Sequence, residues 1–405
     1  MREIFNVRRG LLLYLYRSLI LFSVCLSILS LFDLIYAPPT SKLLKNGNGK
    51  SSYDDLGPDY LDHTEDAISK GFSCNSFGWA KRSKRVRIYY AIIFGNELRV
   101  LDILLHEVNN YVDKIFMIEA SRTMQNRSKL HYLQENKDRL RKFKNLQIIS
   151  LNDSELSWEV LEKSTAPIPE ILLRKIIKRG DNILGHRMEW AQRGYMAKAV
   201  LNHGIANDDI VIFADADEII SAEMLSTLRR CKPREKHFNV CLQNFVYGFA
   251  CPGPNNWYGN SIRTGESFLS SIKSWDKNPL TLPTDPKFTQ RSQSRAKFCT
   301  LNNHPKPSYY LPINLHVKNF GWHLSSFTGY DSESVFRLRD KYLRSNHIGL
   351  LTMQKDEIEI DLHRTIQLCT LINKAITYNN SIEYVRIPWY VKKNPLYFEN
   401  VLSSL

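Results

Sequence analysis

The chain has little cysteine, only seven residues in 405, and no two of them stand in a CxxC pair. Closed thiolate zinc sites need such pairs, so a structural zinc module is excluded. No zinc-finger spacing and no aromatic single-strand-binding motif accompany the basic residues, which removes the usual signatures of a nucleic-acid binder. No internal repeat is visible, so a solenoid or propeller is excluded. Negative charge is in short supply: 55 Lys and Arg face 41 Asp and Glu, a net charge of +14. That surplus suits an anionic donor or a membrane surface, with no nucleic acid implied. The hydrophobic share, 43% against 24% charged, belongs to an ordinary folded protein, and the length allows one large α/β domain with appendages.

Long apolar runs are also scarce, and the one present is at the N-terminus. Leu19 to Ala37 is an apolar segment of about 19 residues, the length of a bilayer-spanning helix. Arg2, Arg8, Arg9 and Arg17 precede it. The positive-inside rule then predicts a cytosolic tail over 1–18, a transmembrane signal-anchor over 19–37 and a lumenal remainder. A cleaved signal peptide is the competing reading, but the run is long for one and Ile35-Tyr36-Ala37 makes a poor cleavage site. Residues 38–85 are rich in Pro, Gly, Ser and Asn and are expected to form a stem, ahead of a lumenal domain over 86–405. Cys25 lies in the anchor, leaving six lumenal cysteines that an oxidising compartment permits to pair. Sequons at Asn126, Asn152 and Asn379 agree with lumenal exposure.

Beyond the stem, strand and helix patterns alternate. Val86 to Phe94 reads as a strand, Glu97 to Val108 as a helix, Lys114 to Ala120 and Leu146 to Leu151 as strands. A helix from about Met188 to Leu201, a strand Ile210–Ala214 and a helix near Ala222 to Arg230 follow. This alternation predicts an α/β fold with a Rossmann-type sheet. Pro252 to Pro312, rich in Pro, Ser, Asn and Lys, is expected to hold long loops that shape an acceptor site.

The chemistry gathers at strand ends. Asp208 to Glu218 is an apolar β-branched run that ends in Asp215-Ala216-Asp217-Glu218. Ligands of open α/β sheets collect at the carboxyl ends of strands, and two carboxylates there offer hard oxygens to Mg²⁺ or Mn²⁺ and so to a diphosphate. A loop Asp capping the next helix is the plainer alternative. In Gly321-Trp322-His323, His323 can complete a metal shell and Trp322 can stack on a sugar; a packed aromatic corner is the alternative. Glu189, Gln192 and Arg193 share one helix face with Arg187 nearby, either to meet a diphosphate and an acceptor or as a surface ion pair. Asn96, Glu97 and Glu119 end strands or open helices on the presumed ligand edge.

In order along the chain, Phe94-Gly95-Asn96-Glu97-Leu98, Ile118-Glu119-Ala120-Ser121-Arg122-Thr123, Glu189 with Gln192-Arg193, Asp208-Asp209-Ile210-Val211 into Asp215-Ala216-Asp217-Glu218-Ile219, Gly321-Trp322-His323 and Pro388-Trp389-Tyr390-Val391 with Asn394-Pro395 recur together. This combination resembles glycosyltransferase family 17, over roughly Val86 to Leu402. The resemblance implies a GT-A-like mixed sheet, a UDP-N-acetylglucosamine (UDP-GlcNAc) donor, inversion at the anomeric carbon and a divalent cation. It implies an N-glycan or glycoprotein acceptor, with a bisecting-type β-1,4 linkage to mannose; the anchor followed by a stem is the layout of a Golgi type II membrane enzyme. On that reading Asp215 meets ribose or metal, Asp217 and His323 hold the metal, and Arg187 and Arg193 neutralise the diphosphate. Asn96, Glu97, Glu119, Gln192 and Trp322 line the donor, and Glu218, with Glu189 as second choice, is the base. A metal-dependent phosphohydrolase and a non-catalytic lumenal glycan-binding protein are the rival functions.

Overall fold

The computed structural model describes residues 72–124, 126–157, 161, 183–249, 251–253, 256–273, 296–298, 320–327 and 388–394. All of them fall in Thr64–Leu405, the second of two units into which the chain divides. The expected anchor lies outside the described residues, as do Cys25, Cys299, Cys369 and the sequon at Asn379. Among the described residues no helix is long and apolar enough to cross a membrane.

In chain order the elements are β1 (Ala80–Lys81), β2 (Ile88–Phe94), α1 (Leu98–Val108), β3 (Lys114–Ala120), the single turns α2 (Tyr132–Glu135) and α3 (Lys137–Leu140), β4 (Leu146–Leu151) and α4 (Ile183–Asn202). Then come β5 (Ile210–Asp215), β6 (Glu218–Ile220), α5 (Ala222–Arg230), β7 (Cys231–Lys232), β8 (His237–Val240), β9 (Gln243–Val246), β10 (Ser261–Thr264), α6 (Gly265–Lys273), β11 (Ala296–Phe298), β12 (Gly321–Ser325) and α7 (Trp389–Lys393).

All seven residues of β2 are buried, as a strand covered on both faces must be. It lies within a seven-stranded sheet of order β11-β8-β10-β5-β2-β3-β4. The four strands β5, β2, β3 and β4 run parallel, whereas β10 is antiparallel to both β5 and β8. The sheet is therefore mixed. On one face α4 brings Met188, Ala191, Met196, Ala197 and Val200 into a core with Tyr89, Ala91, Phe116 and Ile118. The chain steps outward from β2 to β3 and β4, then returns to place β5 on the other side of β2. That reversal opens a crevice at the carboxyl ends of β2 and β5, where open α/β sheets take their ligands. A smaller sheet, β6-β12-β9, continues from that edge.

Two boundaries differ from expectation. Residues 72–85 belong to the folded body rather than to the stem. Cys74 is disulfide-bonded to Cys231, and Phe77 and Trp79 stack on each other in the core. The Pro252–Pro312 stretch contains β10, α6 and β11. Ser-Ile-Arg-Thr gives little apolar signal, but its partners on β5 and β8 supply the ladder, a tertiary override of weak local pattern.

Candidate active site

Asp215 ends β5 beside Ile93 of β2, and the next amide, Ala216 N–H, donates to the Ile93 carbonyl at 3.2 Å. The acidic turn thus sits in the crevice. The Arg193 guanidinium donates to Asp215 Oδ1 at 3.0 Å and to Glu189 Oε1 at 2.7 Å. Glu189 and Arg193 are i and i+4 on α4, so the polar helix face read from sequence reaches the acidic turn. Arg193 is largely enclosed, its side chain 8% exposed. An enclosed guanidinium is tolerable only when its planar fork is satisfied, and two carboxylates do that here.

Glu218 opens β6 and is wholly buried. One oxygen accepts the Trp257 indole N–H at 2.6 Å and the other the Asp215 amide at 3.1 Å. A Cβ at Gly259 would lie 1.7 Å from Glu218 Oε1, so only glycine lets this carboxylate sit where it does. Expected as the base, Glu218 is instead enclosed and committed to holding the turn. On β12, His323 lies in register with Glu218 on one side and Asn244 of β9 on the other. Its Nδ1 is 2.8 Å from Asn244 Oδ1, and its Nε2 is 3.9 Å from Asp217 Oδ2. The Trp257 ring stacks on the imidazole at 4.2 Å between centroids with 7° between planes. Leu324 N–H donates to the Asp217 carbonyl at 2.8 Å, tying β12 to the turn. Gly321 permits this approach: its φ is +155° and a Cβ would meet the Ile219 carbonyl at 2.0 Å.

Other expected residues stand apart from that cluster. Trp322, one position from His323, points the opposite way, as alternation in a strand demands. It is 1% exposed, a core residue with no free face for a sugar; the ring beside His323 is Trp257. Glu119 at the end of β3 is buried, accepting from Leu133 N–H at 3.0 Å with Lys129 Nζ at 3.5 Å. Burial pushes its carboxyl above the ordinary range, opposed by Lys129. It secures the 129–133 segment rather than facing the crevice. Gln192 is buried and bonds back to the Met188 carbonyl. Arg187 is half-buried near the start of α4. Asn96 and Glu97 do border the crevice: Glu97 Oε2 accepts from the amides of Gly95 at 3.2 Å and Asn96 at 2.9 Å, closing the β2–α1 turn. Asn244 and Trp257 had no sequence signal, one lying in a four-residue strand and the other in a stretch read as loop.

Comparison with known proteins bears on this geometry. The sequence profile of glycosyltransferase family 17 matches residues 52–271. The chain belongs to glycosyltransferase family 17. Membership gives a role in glycosyl transfer, and the matched span includes the acidic turn, α4 and Trp257. No curated protein matches the chain significantly. Among solved structures, a Pyrobaculum calidifontis mannosyltransferase in complex with GDP-Man and Mn²⁺ is 10% identical, with 76% of this chain and 77% of that one covered and a TM-score of 0.31. Galactosyltransferase LgtC with donor and acceptor sugar analogs is 11% identical, with 67% and 98% covered and a TM-score of 0.30. GlyE of Streptococcus pneumoniae TIGR4 is 10% identical, with 54% and 45% covered and a TM-score of 0.22. Overlaps this loose carry no argument about donor or metal.

The donor set itself can be tested against the cation expected for this family-17 chain. Among the described residues no group of three or more His, Cys, Asp or Glu forms a closed cage. Asp217 and His323 offer one carboxylate and one imidazole nitrogen 3.9 Å apart. Mg²⁺ and Mn²⁺ are commonly held by one or two side chains with substrate phosphates completing the shell. The residues present fit such a shared site.

Proposed function

We propose that this chain is an inverting, GT-A-like enzyme that transfers N-acetylglucosamine from UDP-GlcNAc to a mannose residue of an N-glycan, in a bisecting-type β-1,4 linkage. The observation that carries the reading is the acidic turn Asp215–Glu218 at the sheet reversal point, opposite His323, in a chain of family 17. Asp217 and His323 hold the divalent cation, which supplies positive charge to the departing diphosphate. Arg193 orients Asp215 toward the donor. Asn96 and Glu97 border the same crevice as donor contacts, and Arg187 adds positive charge at its edge. The acceptor hydroxyl gives its proton to a carboxylate as its oxygen bonds the anomeric carbon; the bond from that carbon to the diphosphate oxygen breaks, and UDP leaves with the electron pair. Glu189 takes the proton in this reading, since its side chain is 24% exposed whereas Glu218 is enclosed.

The enzyme is further proposed to be a Golgi single-pass type II membrane protein with its catalytic domain lumenal. The Cys74–Cys231 disulfide supports an oxidising compartment, and the apolar segment 19–37 supports the anchor. The deciding experiment incubates purified full-length protein with a panel of UDP-sugars and N-glycans, with and without Mn²⁺, read by mass spectrometry. Addition of one N-acetylhexosamine only with UDP-GlcNAc and cation is the expected result. Asp217→Ala should abolish that product while the circular dichroism spectrum stays unchanged. Undiminished transfer in chelator would overturn the cation's place, and exclusive use of another donor would overturn the sugar assignment.

A further inference from the structure

His323 is held from two sides by residues that no motif singled out. Asn244 Oδ1 lies 2.8 Å from His323 Nδ1. An amide oxygen can only accept, so Nδ1 carries the proton in this bond, and in the neutral ring the lone pair sits on Nε2. That lone pair faces Asp217 Oδ2 at 3.9 Å. Second-partner hydrogen bonds of this kind orient imidazole ligands and fix their tautomer.

Trp257 supplies the other restraint. Its indole lies flat against the imidazole, 4.2 Å away and 7° from parallel, which opposes ring rotation. Its N–H is engaged by Glu218 at 2.6 Å, and Glu218 holds the Asp215 amide. The Trp257 backbone is pinned by paired bonds with Leu242, at 2.8 and 2.9 Å. The indole therefore joins the acidic turn to His323 as one unit.

Resting on the cation reading above, we propose that Asn244 and Trp257 are positioning residues that hold His323 with its Nε2 lone pair turned toward Asp217, so that this half of the cation site is built before the donor arrives. Neither touches the reacting atoms. Their effect is on the affinity for the cation, and they leave the transfer step itself intact.

The test measures Mn²⁺ binding to full-length protein in the presence of UDP, by the electron paramagnetic resonance signal of free Mn²⁺. Asn244→Leu should weaken Mn²⁺ binding by about 10- to 100-fold, the usual cost of losing an outer partner of a metal ligand. Asn244→Asp keeps the acceptor and should restore affinity to within a few-fold. Trp257→Phe keeps the stack but not the N–H and should fall between wild type and Trp257→Leu. In turnover, the Mn²⁺ concentration for half-activity should rise in Asn244→Leu while kcat at saturating Mn²⁺ stays near wild type, a split that a general folding defect would not give. If Asn244→Leu does not fold, the same ordering is read from Asn244→Asp and Trp257→Phe. Wild-type affinity in both Asn244→Leu and Trp257→Leu, with Asp217→Ala still abolishing binding, overturns the positioning role and leaves the cation reading intact. Absence of Mn²⁺ binding to the wild-type protein overturns both.

Discussion

At the scale of single residues, the site economises on charge. Arg193 serves Asp215 and Glu189 at once, so its removal takes the shared guanidinium from both carboxylates. Arg193→Ala should lower stability by on the order of 1–3 kcal/mol, less than a fully buried pair because Asp215 is partly exposed. A denaturant midpoint measures this, and Arg193→Lys should recover only part, since an ammonium cannot present a two-pronged fork. His106 offers a second test, away from the crevice. It packs against Tyr390 and Phe143 near Lys142. Burial, with Lys142 adding to it, pushes its pKa down to about 3 from 6.5. A lowered pKa means the folded state binds fewer protons, so this contribution is whole above the unfolded value of 6.5 and is lost as pH falls toward the folded value of about 3. Within that window stability should drop by about 1.4 kcal/mol per pH unit from this group. Melting curves between pH 6.5 and 4 should show a shallower decline in His106→Phe.

At the scale of elements, the parallel strands β2, β3, β4 and β5 were written plainly, whereas the rest of the larger sheet and the smaller sheet were not. Lys114–Ala120, Leu146–Leu151 and Ala222–Arg230 appear with the bounds that periodicity gave, because each carries its own apolar pattern and breakers. β10, β9 and β12 are short and polar in part, and their conformation depends on partners distant in sequence. The same split runs through the site. Asp215, Asp217 and His323 stand in recognisable motifs, whereas Trp257 acquires its role only when tertiary folding stacks it on His323 of β12. Trp322 was misread because a single Gly-Trp-His does not reveal which side of the strand faces the core. One element contact is open to direct measurement. Ser221 caps α5 through the Met224 amide at 3.3 Å, and Glu107 of α1 accepts the Ala222 amide at 3.0 Å. Glu107→Ala strips a buried amide of its acceptor and should cost about 1–3 kcal/mol in chemical unfolding.

At the scale of the whole molecule, the folded body is stapled near its start. The Cys74–Cys231 bond spans 157 residues, and closing a loop that long is worth about 5 kcal/mol in the chain-entropy account. Cys231→Ser should lower the unfolding free energy by a comparable amount, read by fluorescence against denaturant. The compartment proposal has its own check. Asn126 is exposed on a turn with φ of +61°, within an Asn-Arg-Ser sequon. Protein made through the secretory pathway should lose gel mass on peptide N-glycosidase treatment, and Asn126→Gln should lose part of that shift.

The placement of β12 in the middle of its sheet has a consequence for shortened forms of this chain. A product ending after Phe298 would keep every described strand of the larger sheet, yet β6 and β9 would be left without the strand that separates and joins them. It would also keep the whole stretch by which the family is recognised, 52–271. Such a product would still match the family profile while lacking His323, and on the cation proposal it should transfer no sugar.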